Sequence, residues 1–95
     1  MSLRRKQQSI EIDGDEYVVK QPTGSQLQEI FDLQGADKRI EAAYTCLRYC
    51  IFDVDNKPVF DQSTTTEQMM NDDISPVVAI TVTDTAMKMV TIKKS

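Results

Sequence analysis

The chain has no histidine and no tryptophan, and only two cysteines and three glycines among its 95 residues. Histidine is the side chain whose ordinary pKa lies near neutrality, so acid–base catalysis would fall to a perturbed carboxylate, lysine or cysteine. Nothing in the sequence marks one out. Gly14, Gly24 and Gly35 stand singly, which excludes a phosphate-cradling glycine loop. Cys46 has no histidine to activate it as a nucleophile. Cys46 and Cys50 lie four apart on a helix-like segment, where side chains point poorly for a disulfide. A metal held by this pair would need two further ligands, and only carboxylates are on offer. Reduced, buried thiols of a cytoplasmic protein are the expected state. There is no apolar run of about eighteen residues to span a membrane. The opening Met1-Ser2-Leu3-Arg4-Arg5-Lys6 lacks the apolar stretch of a secretory signal. No catalytic, cofactor-binding or metal residue is assigned, and the chain is not expected to be an enzyme or to take a small-molecule substrate.

What is present is an ordinary globular balance, with 40% hydrophobic and 27% charged residues. A length of 95 residues allows one domain. Such a domain buries only about 60–65% of the surface its unfolded chain exposes, so its core is thin and self-association is a common remedy. Fifteen acidic against eleven basic residues give a net charge of -4, which argues against a general nucleic-acid binder. The one basic cluster, Arg4-Arg5-Lys6, falls in a polar arm over residues 1–8 that is expected to be frayed. A globular domain is expected over 9–92, with 93–95 as a short tail.

Residues 9 to 20 read as a hairpin: Ile10 and Ile12 alternate with polar neighbours, Asp13-Gly14 supplies the turn, and Tyr17-Val18-Val19 favours a strand. Gln21-Pro22-Thr23-Gly24 breaks it. Ser25 with Gln28, or Thr23 with Gln26, forms a capping box for a helix that buries Leu27, Ile30 and Phe31 and ends at Gln34-Gly35. Asp37 is expected to cap a second helix with the stripe Ile40, Ala43, Tyr44, Leu47 and Ile51. Thr64 with Glu67 opens a short third helix through Met69-Met70. Ser75 and Pro76 open a fourth, with Val78, Val82, Ala86 and Val90 four apart. The β-branched run Val77 to Thr83 also suits a strand; the Ser-Pro cap and Ala86-Met87-Lys88-Met89 tip the reading to helix. The fold class is therefore mainly α (α+β), an N-terminal hairpin followed by about four helices. Its core is expected to hold Leu27, Ile30, Phe31, Ile40, Tyr44, Leu47, Ile51 and Val82.

The loop Asp53-Val54-Asp55-Asn56-Lys57-Pro58 has the look of a calcium loop, but an EF-hand needs an oxygen ligand, glycine and glutamate where Lys57, Pro58 and Thr64 stand. It reads as a turn. Apolar surface remains as the functional resource. Four of the five methionines, Met69, Met70, Met87 and Met89, lie in the C-terminal third, and methionine suits adaptable binding faces as well as cores. Met69, Met70, Val78, Met87 and Met89 are the candidate partner-binding residues.

The hairpin ending Tyr17-Val18-Val19-Lys20-Gln21-Pro22-Thr23, the helices, the Asp53 to Phe60 loop and the C-terminal helix resemble the tail assembly chaperones of long-tailed, lambda-like bacteriophages over residues 10 to 90. The resemblance implies a non-catalytic protein that binds and solubilises the tape measure protein and helps recruit the major tail protein. It also implies self-association, action in the bacterial host cytoplasm and absence from the finished virion. A structural head–tail connector or tail-completion protein is the alternative. A third is a regulatory protein whose Arg4-Arg5-Lys6 arm meets nucleic acid, against which the net acidity speaks.

Overall fold

A computed structural model describes residues 5–61 and 63–90. Two strands, β1 (Gln7–Ile12) and β2 (Asp15–Lys20), lead into helices α1 (Gly24–Gly35) and α2 (Arg39–Cys50). A two-residue strand, β3 (Ile51–Phe52), precedes helices α3 (Thr66–Asn71) and α4 (Pro76–Val90). This is the hairpin followed by four helices that the sequence implies, and the ambiguous run from Val77 to Thr83 is helical. Of the expected arm, residues 7 and 8 belong to β1; residues 1–4 and the tail 93–95 lie outside the described residues.

The hairpin turns on Asp13 and Gly14, both at positive φ (52° and 86°), as a tight two-residue turn demands. Antiparallel pairing runs from Ile12 opposite Asp15 to Gln7 opposite Lys20. β3 pairs on the other side of β2, Val19 opposite Ile51 and Val18 opposite Phe52, giving the sheet order β1-β2-β3. A lone hairpin is marginal in water; here the third strand and α4, which packs on β1 and β2, supply what it lacks.

Capping boxes set two helix starts. Thr23 Oγ1 accepts from Gln26 N at 3.3 Å while the Gln26 side chain accepts from Thr23 N at 3.0 Å, the second of the two expected alternatives. In α3 the box is Thr65 with Gln68, one residue beyond the expected Thr64 and Glu67. Ser75 Oγ accepts from Val77 N at 3.2 Å, with Pro76 in the first turn, where a missing N–H costs nothing. Asp37 does not cap α2. It sits at φ 62°, its N–H donates to Gln34 O, and Lys38 N donates to Leu33 O, so it closes α1 in the left-handed conformation, two residues past Gly35. Lys38 then begins α2 with no side-chain cap.

α2 is the centre of the molecule, packed by α1, α3 and most extensively by α4. Its middle is buried on successive residues, Ala42 through Leu47, because neighbours approach from several sides. Ala79, Val82 and Ala86 of α4 meet it, and small side chains on both helices allow close approach. Thr83 Oγ1 donates to Ala79 O at 2.7 Å and lies 3.2 Å from Ala43 O, joining the helices with a hydroxyl. The only buried polar side chain among the described residues, Thr45, pairs with Thr66 through hydroxyls 2.8 Å apart. Ile30, Tyr44, Leu47, Ile51 and Val82 are core residues as expected, and Leu27 is half-buried. Phe31 and Ile40 are not: they are 47% and 48% exposed, the first on the outer face of α1 and the second in the first turn of α2, ahead of the buried run that starts at Ala42. Ile51 is in the core from β3 rather than from the end of α2.

Candidate partner-binding surface

Exposed apolar side chains gather where the start of α2 meets α3 and the first half of α4. Ile40 lies between two adjoining shallow grooves and lines both. One, of ≈ 460 Å³, runs to Met70 on α3; the other, of ≈ 530 Å³, runs to Ile80 on α4 with Ala43 in its lining. Met70, Ile40 and Ile80 thus form a stripe in which each side chain is 40–48% exposed. Val77, one turn before Ile80 and on the same helix, is 69% exposed. A thin domain has no room inside for this many apolar groups, and contiguous exposed apolar side chains ringed by polar ones mark protein contact sites.

Local sequence explains the stripe. α3 has six residues, and neighbours on a helix point about 100° apart, so the pair Met69-Met70 divides, one inward and one outward. α4 begins with Val77, Val78, Ala79 and Ile80, apolar all round, and its buried face takes Ala79. Val77 and Ile80, three apart, are left on the outer face together. The rim is charged with both signs: Asp37, Lys38, Arg39 and Glu41 beside Met70, Arg39 and Asp84 beside Ile80. Lys38 Nζ reaches the Glu41 carboxylate at 4.0 Å, an exposed pair worth little energetically. Such a surface suits an apolar helix face: grease along the middle, adaptable charge at the edges.

Of the five residues expected to form the partner surface, Met70 lies in this stripe. Met69 is a correction. At 1% exposure it is among the largest fully buried side chains, packed in the central cluster. Val78, Met87 and Met89 are half-buried against that cluster. The C-terminal half of α4 is held near the hairpin by Gln21 Nε2, which donates to Met89 O at 3.0 Å. Sequence reasoning missed Ile40 and Ile80, the first because its position in the α2 stripe assigned it to the core. The place of Ile40 in the first turn of its helix was the available signal.

Two other features have no part in the surface. The Cys46 and Cys50 sulfurs are 3.8 Å apart and both buried. The hydrogen bond to Cys46, and then burial, push the Cys50 thiol far above its ordinary range. The Asp53 loop is a turn: Asp53 Oδ1 accepts from Asp55 N and Lys57 N, each at 2.9 Å, so its carboxylate is occupied by backbone. Among the described residues, no helix is long and apolar enough to cross a membrane.

No family model matches the sequence, and no curated protein does. Among solved structures, the fold is that of the bacteriophage HK97 tail assembly chaperone, with a TM-score of 0.74, 16% sequence identity, and 92% of this chain aligned to 87% of that one. Hairpin, helices and their connections therefore follow the arrangement of a phage tail assembly chaperone almost from end to end.

Proposed function

We propose that this protein is a non-catalytic tail assembly chaperone that covers apolar helices of a tape measure protein until the tail tube is built around them. The observation that carries the reading is the fold shared with a tail assembly chaperone over 92% of the chain. The stripe of Met70, Ile40 and Ile80 supplies a surface for the task. Methionine and isoleucine side chains at a mixed-charge rim give moderate, adaptable affinity, which a carrier that must release its cargo needs. The net charge of -4 keeps the loaded complex soluble. Recruitment of major tail protein subunits, self-association, action in the host cytoplasm and absence from the finished virion belong to the same proposal.

The test is co-expression with a tape measure protein from the same genome. The tape measure protein is expected to stay in the soluble fraction when the pair is made together and to precipitate when made alone. Equal precipitation in both cases would overturn the reading. Detection of the protein in purified virions at structural copy number would favour the connector or tail-completion alternative.

A further inference from the structure

A second cleft, of ≈ 480 Å³, differs from the apolar stripe in chemistry. Arg5 and Arg48 line it together with Tyr49, Phe52 and Phe60, with Asp61 at its edge. Two guanidinium groups beside three aromatic rings stand out on a molecule of net charge -4. The Arg48 guanidinium lies 4.3 Å from the Tyr49 ring centre, and its nearest carboxylate, Glu29, is 3.8 Å away, too far for a hydrogen bond. Its Nε is buried without an acceptor among the described residues. Arg5 uses Nε on Gln21 O and makes no ion pair among the described residues. The cleft therefore holds more cationic donors than acceptors.

Next to it stands an exposed loop of the opposite charge at its tip. The loop Asp53 to Lys57 rises from Phe52 and Pro58, which bridge each other at its base and also line the cleft. Asp53 N donates to Lys57 O at 2.9 Å, and Asn56 sits at φ 64°, so the loop is braced from within. At its tip Val54 is 59% exposed beside the exposed carboxylate of Asp55.

We propose that this knob enters the cleft of a second copy, Val54 against the Phe52 and Phe60 rings and the Asp55 carboxylate on Arg5, with Arg48 adding positive field behind it. Knob and cleft share their base at Phe52 and Pro58, so one two-fold axis at that rim makes the contact reciprocal, the geometry of an isologous dimer. Charge-assisted pairing of Arg with a carboxylate gives direction, and the valine against aromatic rings gives apolar burial. The inference rests on the self-association part of the proposed function and is independent of cargo binding.

The experiment is sedimentation velocity of the full chain, at low and high salt, for the parent, V54D, D55R, R5E and the double variant R5E/D55R. All three positions changed are exposed, and thermal scans check that each variant stays folded. V54D, D55R and R5E are expected to weaken self-association by roughly tenfold or more, with salt weakening the parent. R5E/D55R is expected to regain part of what either charge change loses, since the pair acts as a unit. A parent that sediments as a monomer at every concentration would overturn both self-association and this interface. A parent that self-associates with V54D and D55R unchanged would overturn the interface alone.

Discussion

The Tyr44 hydroxyl donates to the Ile74 carbonyl at 2.7 Å, fastening the central helix to the segment that joins α3 to α4. Tyr44 is 3% exposed, so the bond is made largely away from water and fixes where α4 begins. The apolar stripe depends on that position, since Val77 and Ile80 follow within two turns.

Tyr44→Phe removes the donor and leaves the ring in place. It is expected to lower unfolding free energy by about 1–2 kcal/mol, the cost of a lost hydrogen bond with its acceptor left behind. Urea denaturation of the two proteins, with unchanged slope, measures it.

The neighbours Met69 and Met70 are expected to behave oppositely. Met69→Ala empties a core position and should cost about 2–5 kcal/mol. Met70→Ala should shift stability by no more than about 0.5 kcal/mol while weakening cargo binding. Thermal scans and a pull-down with tape measure protein separate the two effects.

Ile40→Asp and Ile80→Asp place a charge in the middle of the stripe without touching the core. Each is expected to leave the melting temperature within a few degrees of the parent and to reduce retention of tape measure protein in the soluble fraction. Met87→Glu with Met89→Glu makes the contrast: these side chains are half-buried against the core, so the pair should destabilise the fold itself.

Cys46 and Cys50 should be inert to thiol reagents in the folded protein. Both are fully buried, and the Cys50 thiol is held protonated by its bond to Cys46 and by burial. Labelling by a thiol reagent at pH 8 is expected to track global unfolding, with no fast phase in native buffer.

Much of the fold was legible because its signals are local. Asp13-Gly14 fixes the hairpin register, Thr23 with Gln26 and Ser75-Pro76 fix helix starts, and each acts through its own backbone. The Val77 to Thr83 run is helical despite its β-branched residues because the cap starts the helix and Ala79, Val82 and Ala86 bury against α2. The partner surface was less legible because exposure depends on what packs where. Met69 and Met70 are chemically identical, and a six-residue helix carries too little periodicity to say which faces inward. Ile40 keeps perfect phase with the α2 core stripe, yet burial of that helix begins only at Ala42. β3 is two residues continuing directly from a helix, with no turn signal between them, so Ile51 read as helical.

The most direct measurement is amide NMR of the isotopically labelled protein titrated with a soluble helical segment of the tape measure protein. Shifts are expected to centre on Lys38 to Ala43, Met70 and Val77 to Asp84, and to vanish in Ile40→Asp. Binding that leaves those amides unmoved would contradict the assignment of the Met70, Ile40 and Ile80 stripe as the cargo surface.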